Sequence, residues 1–180
     1  MKIAVVGCAH GKLDEIYEEV EQYNVTHPND LIYLLLICGD FQAIRNINDL
    51  YCMSVPDKYK SMNSFYKYYS GEKKAPCLTI YIGGNHEASN LHLELYYGGW
   101  ICPNIYYLGH CGMVNVFNLN IAGISGIFNA NYFNYNHFES LPLTSQTLRS
   151  IYYIRKYQIC QLLSITDPID IFLSHDWPTG

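Results

Sequence analysis

Leu34-Leu-Leu-Ile-Cys-Gly-Asp40 is an apolar run that stops at a glycine and a carboxylate. An unbroken apolar run of this length reads as a strand buried on both faces, as in the middle of a parallel sheet. Gly39 lets the chain turn where the strand ends, and Asp40 then stands at the strand's carboxyl edge, where open α/β sheets bind ligands. Asp is also a common cap or turn residue, so one such end decides nothing. Three more stretches repeat it. Lys2-Ile-Ala-Val-Val-Gly7 precedes Cys8 and His10, Cys77-Leu-Thr-Ile-Tyr-Ile82 precedes Gly83-Gly-Asn-His-Glu87, and Ile169-Asp-Ile-Phe-Leu173 precedes Ser174 and His175. In one parallel sheet, all four polar clusters would gather at a single edge.

Between the first two strands, Leu13, Ile16, Tyr17, Val20 and Tyr23 recur at intervals of three and four and predict an amphipathic helix. This β-α-β opening should cross over right-handedly. Residues 41–74 have weak periodicity and read as a helix with irregular ends and little chemistry. Gly98-Gly-Trp100 and Cys102-Pro-Asn104 read as punctuation. Short strands are expected at Ile105–Leu108, Met113–Phe117 and Leu119–Ile124, with a hairpin turn near Asn118; their short connections favour antiparallel pairing. Residues 123–142 lack a period and read as a long loop, a length more often functional or mobile than filler. Thr144 to Ser164 carries the strongest helical pattern, with Leu148, Ile151, Tyr152, Ile159, Leu162 and Leu163 on one side.

A length of 180 residues fits about one domain, here 1–180. With 49% hydrophobic and 15% charged residues, the chain is globular and not disordered. A net charge of −5 removes any general electrostatic case for nucleic acid, so a polyanion would be held locally by metal ions or a few placed cations. Arg149, Arg155 and Lys156 are the cationic group of the second half, by default a solvated helix face. The eighteen tyrosines serve equally as ordinary aromatics or as rings for stacking on bases. Seven cysteines without a CxxC pair, no signal peptide and no membrane-length segment lead to the expectation of an intracellular protein with reduced thiols.

Thiol, imidazole, carboxylate and amide oxygen together suit a borderline divalent metal such as zinc, iron or manganese better than calcium or magnesium. Singly, Cys8 reads as a small buried hydrophobe, His10 as a helix cap, Asn85 as a turn residue and His175 as a satisfied loop histidine. Four coincidences at strand ends favour a metal site.

The set Cys8-Ala-His10, Gly39-Asp40, Gly84-Asn-His-Glu87 and His175 resembles the calcineurin-like metallophosphoesterases, with cysteine where their first aspartate stands. Ala122-Gly-Ile-Ser-Gly-Ile127, Leu148-Arg-Ser-Ile-Tyr152 and Ser174-His-Asp-Trp-Pro178 add a narrower resemblance to the RNA lariat debranching enzymes. The resemblance implies an α/β/β/α sandwich of four layers. The family's terminal Gly-His-x-His has no counterpart before Gly180, so the reading expects a sandwich incomplete at its C-terminal side.

By the same resemblance, Asp40 bridges two metals, Cys8 and His10 hold one, Asn85 and His175 hold the other, and His86 is the general acid. The implied substrate is the 2′–5′ phosphodiester at the branch of an excised intron lariat RNA, and the implied location is the nucleus. The cysteine favours Fe(II) or Zn(II), with Mn(II) as a further candidate, and the choice between one metal and two stays open. A lariat-recognition loop is implied at about 124–154. There Tyr132, Phe133 and Tyr135 would stack on bases, Asn129, Asn131 and Asn134 would hydrogen-bond, and Arg149 would meet a phosphate. No membrane and no obligate protein partner is expected. Two alternatives stay open: another phosphoesterase of this superfamily, or a non-catalytic scaffold on the same fold.

Overall fold

The computed structural model describes residues 2–177. In chain order the elements are β1 (Lys2–Val6), α1 (Leu13–Thr26), β2 (Ile32–Ile37), α2 (Ile47–Leu50), a 3-10 turn (Asp57–Tyr59) and α3 (Phe65–Tyr69). Then come β3 (Leu78–Tyr81), α4 (Ser89–Glu94), β4 (Gly99–Cys102), β5 (Ile105–Tyr107), β6 (Cys111–Val116) and β7 (Leu119–Ile124). The chain continues through α5 (Thr147–Ser150), α6 (Lys156–Leu163) and β8 (Ile171–Ser174).

Two sheets form. The first has the order β1-β2-β3-β5-β4, parallel from β1 through β5, with β4 antiparallel on its edge. The second is β6-β7-β8, antiparallel in the hairpin and parallel between β7 and β8. Phe117 and Asn118 at the hairpin turn both have positive φ, 54° and 63°, as a tight two-residue turn requires.

Alternation along β2 explains the layering. Leu35 and Ile37 face a core shared with Leu13, Tyr17 and Val20 of α1 and Phe65 and Tyr68 of α3. Leu34 and Leu36 face the opposite way, into a core between the sheets with Ile80, Ile82, Leu108, Ile121 and Leu173. A strand buried on both faces has no polar side to offer, which is why its sequence is uninterrupted. Helix α6 lies against β6 beyond the second sheet. The succession helix, sheet, sheet, helix is the expected α/β/β/α sandwich.

Several expectations need correction. The four clusters do not share one sheet: β8 belongs to the second, and His175 reaches the site across the inter-sheet core. Residues 41–74 form three short helical pieces, because Gln42 adopts a left-handed backbone (φ 59°) and Pro56 interrupts the run. Arg45 ties these pieces down by bridging Asp49 of α2 and Glu94 of α4 at 3.0 and 2.9 Å. The helix expected over 144–164 is split into α5 and α6. Tyr153 bridges to Ile127, and Arg155 is extended at φ −109°, ψ 148°. Leu163 is 79% exposed, so its periodic position marks no core face. Strand β4 and helix α4 were not expected; the glycines around Trp100 hid the edge strand.

The double burial of β2 predicts a sharp contrast. Leu36→Ala should lower the unfolding free energy by about 2–5 kcal/mol. Tyr33→Ala, at a half-exposed position on the same strand, should change it by no more than about 0.5 kcal/mol. Urea midpoints at an unchanged slope check both.

Candidate metal centre

The parallel strands stop in register: Val6 pairs with Ile37 and Ile37 with Tyr81. The residues just beyond them therefore leave the sheet side by side. Cys8 and His10 follow β1, Asp40 follows β2, and Asn85 and His86 follow β3. His175 follows β8 and arrives from the other sheet.

The polar atoms converge. Asp40 Oδ1 lies 3.6 Å from His175 Nε2, and its Oδ2 lies 3.7 Å from His10 Nδ1 and 3.2 Å from His86 Nδ1. His175 Nε2 is also 3.2 Å from Asn85 Oδ1. Potential ligand atoms form two groups, Cys8 with Asp40 and His175, and His10 with Asp40 and His86. Asp40 is common to both. The expected ligands gather around Asp40, but not in the expected pairs: Cys8 lies with His175, beside Asn85, and His10 lies with His86.

The donor chemistry fits a cation. His175 Nδ1 is 2.8 Å from the Cys38 carbonyl oxygen, which only accepts, so Nδ1 carries the proton. In the neutral ring Nε2 is then a lone pair facing Asn85 Oδ1 and an Asp40 oxygen. Three acceptors turned toward one another with no proton between them are arranged as metal ligands are, with a backbone carbonyl fixing the imidazole tautomer. Cys8 is exposed, so it is not a packing residue; burial and then the Asp40 charge raise its thiol pKa. Metal binding at this sulfur would release a proton.

Backbone strain concentrates here. His10 and Asp40 are non-glycine residues at φ 46° and 49°, a conformation that persists only when the surroundings impose it. Two glycines allow the close approach. A Cβ on Gly39, at φ 114°, would fall 2.2 Å from His175 Nδ1, and one on Gly84 would fall 2.1 Å from Asp40 Oδ1.

The residue that imposes the geometry is Glu87, quoted in the sequence motif without a role. Its carboxylate is 1% exposed. Oε1 accepts from the Phe41 N–H at 2.8 Å and the Gly84 N–H at 2.9 Å, and Oε2 from the Gln42 N–H at 2.7 Å. The turn after β2 is thereby stapled to the turn after β3. A further bond, from the His86 N–H to Asp40 Oδ1 at 2.9 Å, closes the same junction. Burial first, then the neighbouring Asp40 charge, pushes the Glu87 pKa up to about 7. A buried acid three residues beyond Gly84 was the available signal for this staple.

A wide cleft of about 390 Å³ opens beside His10 and His86, lined by Gln42, Val55, Pro56, Tyr59 and Asn63. Residues 41–74 are therefore not poor in chemistry, since they form its wall.

The expected recognition residues are distributed unevenly. Asn131 and Tyr135 are exposed, as is Arg149, which sits in an adjoining cleft of about 320 Å³ that shares Val55 and Pro56. Tyr132 is half-buried, its ring centre 5.2 Å from the Arg155 guanidinium. Arg155 was expected on a solvated face, but its side chain is completely buried. It donates to Glu139 Oε1 at 2.6 Å, to the Ser150 carbonyl at 3.0 Å and to the Tyr132 carbonyl at 2.9 Å. Glu139 Oε2 lies 3.0 Å from His137 Nδ1. This network ties the loop to the start of α6. Pro178, the last residue of the expected Ser174–Pro178 motif, lies outside the described residues.

The sandwich and two groups of candidate ligand atoms sharing one aspartate match the class of the metallophosphoesterases. A profile of the calcineurin-like phosphoesterases matches residues 1–179, and the chain belongs to that family. Membership implies use of a divalent metal.

Within the family it is similar to curated proteins named lariat debranching enzyme. It is 56% identical over 178 residues to lariat debranching enzyme A of Xenopus laevis, covering 99% of this chain and 33% of that protein. It is 58% identical to the Drosophila melanogaster enzyme, covering 34% of it, and 52% identical to the Arabidopsis thaliana enzyme, covering 43% of it, with all 180 residues aligned in both cases. The chain thus spans about a third to two-fifths of these relatives' length. Among the described residues no helix is long and apolar enough to cross a membrane.

Two predictions follow from the anchors. Glu87→Gln sets an NH2 group against at least one of three N–H donors, so metal affinity should fall roughly 10- to 100-fold. Competition with a chromogenic chelator measures this. Burial alone would raise the Glu139 pKa, but hydrogen bonding from His137 and the Arg155 charge hold it at about 2, below the ordinary 4.5. Its contribution to stability is present above the unfolded-state value and is lost as pH falls from there through about 2. Glu139→Gln should flatten that acid limb in melting curves recorded from pH 6 to 2, while lowering stability near neutrality.

Proposed function

We propose that this chain carries the metal-dependent catalytic site of an enzyme that hydrolyses the 2′–5′ phosphodiester at the branch of excised intron lariat RNA. The observation that supports it is a match at 52–58% identity over essentially all of the chain to proteins named lariat debranching enzyme. The acceptor cluster agrees with it. Handling intron lariats places the protein in the nucleus.

A divalent cation bound here supplies Lewis acidity toward the phosphate and lowers the pKa of water. Cys8, His10, Asp40, Asn85 and His175 are the residues that hold it. Asp40, shared by both ligand groups, fixes their separation. The thiol of Cys8 favours Fe(II) or Zn(II), with Mn(II) compatible with the oxygen and nitrogen ligands.

His86 is the general acid in this reading. Its ring reaches the cluster edge with Nδ1 3.2 Å from Asp40 Oδ2 and lines the open cleft, at 37% side-chain exposure. Such a ring, oriented by a carboxylate and open to substrate, is placed to deliver a proton to the departing 2′-oxygen. The loop of residues 124–154, held by Arg155 and Glu139, offers Tyr135 and Asn131 to unpaired nucleotides and Arg149 to a phosphate. Tyr132, half-buried against Arg155 and Tyr153, is less available for stacking than Tyr135.

The test is cleavage of a synthetic 2′–5′ branched RNA beside a linear 3′–5′ control, with full-length protein loaded anaerobically with Fe(II), Zn(II) or Mn(II). Branch-selective cleavage is expected. His86→Ala should reduce kcat about 10²- to 10⁴-fold with metal still bound. Equal cleavage of both linkages would reduce the protein to a general phosphodiesterase, and metal binding without cleavage would favour a scaffold.

A further inference from the structure

We infer that the cleft beside His86 is a nucleobase subsite for the nucleoside that carries the leaving oxygen, with Tyr59 as its stacking platform. The inference rests on the debranching reading for the identity of that nucleoside, which is then the branch-point residue.

Position comes first. An in-line displacement puts the leaving oxygen opposite the attacking one and next to the general acid. His86 belongs at once to the ligand cluster and to the lining of the roughly 390 Å³ cleft. A nucleoside whose oxygen meets His86 therefore has this cleft as the concavity adjoining the reaction centre. Its size falls within the range of about 300–1,000 Å³ typical of small-ligand clefts.

The lining has the chemistry of a base site. Val55 and Pro56 form an apolar wall, and Tyr59 is 62% exposed although it stands in a concave surface. Gln42 and Asn63 supply polar groups at the same wall, with Asn63 Nδ2 donating to Gln42 Oε1 at 2.7 Å. Whichever way the two amides are turned, one such bond leaves one carbonyl oxygen and one NH2 group of the pair for a base edge. Both residues have left-handed backbones, at φ 59° and 49°, and Gln42 is anchored through its backbone N–H by Glu87.

Charge agrees. In a chain of net charge −5, the Val55-Pro56 ridge is flanked by cations. Lys58 Nζ stands 4.7 Å over one face of the Tyr59 ring, and Lys60, paired with Asp57 at 2.9 Å, and Arg149 line the cleft on the ridge's other side. A base on one side and phosphates along the other match this division.

The experiment compares branched RNA having an intact branch-point base with the same RNA abasic at that residue, using the metal-loaded full-length protein. For wild type, removing the base should raise KM about 5- to 150-fold, the span of base–aromatic stacking. In Tyr59→Ala that ratio should fall by at least about 5-fold, toward what the Gln42 and Asn63 amides alone supply, and Tyr59→Phe should restore it. A ratio that stays at its wild-type value in Tyr59→Ala, or a wild-type enzyme indifferent to the base, overturns the subsite. If wild type cleaves linear oligonucleotides but not the branch, the debranching reading fails instead. The same comparison, with the base removed from the leaving nucleoside of the linear substrate, then decides the subsite.

Discussion

The site depends on a carboxylate that touches no cation. Glu87 is buried among backbone N–H groups, and such an acid costs free energy unless its oxygens are fully engaged. Three main-chain donors engage them. Those donors belong to two different strand-end turns, so satisfying Glu87 and fixing the ligands are one event. Because the donors are backbone, the geometry is set by the path of the chain and not by rotamers that thermal motion can exchange. The left-handed residues of the first turn, Asp40 and Gln42, are stable in that path because the same acid holds it. A ligand cluster built on strand ends alone would have register without aim.

The loop before α6 is organised by a second anchor of opposite kind. Arg155 is a buried cation whose partners are a carboxylate, two carbonyls and two aromatic rings, the Tyr132 and Phe138 ring centres lying 5.2 and 5.8 Å away. A buried ion pair adds little net stability compared with apolar packing, yet removing one partner leaves an uncompensated charge. Such a pair therefore enforces one arrangement of the loop more than it strengthens the fold. The cost of a mobile loop would otherwise be met at each binding event. Tyr132 takes part in this anchoring, which leaves Tyr135 as the more available ring.

What could be read in the sequence follows from how each feature is encoded. Apolar strands that end in chemistry are local signals, and β1, β2, β3 and β8 with their polar ends were legible for that reason. The assignment of β8 to the second sheet was not, because strand partners are chosen by side-chain packing across the core, where Leu173 meets Ile121 and Leu36. Helical periodicity over 144–164 was real in the residues but lost to tertiary demand: the chain must extend at Arg155 to bring its guanidinium inside. Charge patterns invite the opposite error, since an Arg beside a Lys reads as surface until Glu139, sixteen residues away, is seen to face it. Glu87 was faint as a positioning group because its partners are backbone N–H groups, which nearly every residue has, and its place three residues beyond Gly84 was the one signal.

The electrostatics of the cluster explain why a cation belongs there. Burial first, and the Asp40 charge after it, raise both the Cys8 thiol and the Glu87 acid, so anionic forms of these groups oppose one another at short range. A divalent ion held by Asp40 and Cys8 would reverse the sign of that field, favouring the thiolate and leaving Glu87 facing a neutralised neighbour. Protonation equilibria that oppose each other around Asp40 then become mutually consistent. The cysteine makes this coupling stronger than an aspartate would, because an aspartate is already ionised at neutral pH whereas the thiol must be deprotonated by the metal. Metal uptake in this chain should therefore be steeper in pH than in a relative with oxygen in that place, and the softness of sulfur selects which metals can drive it.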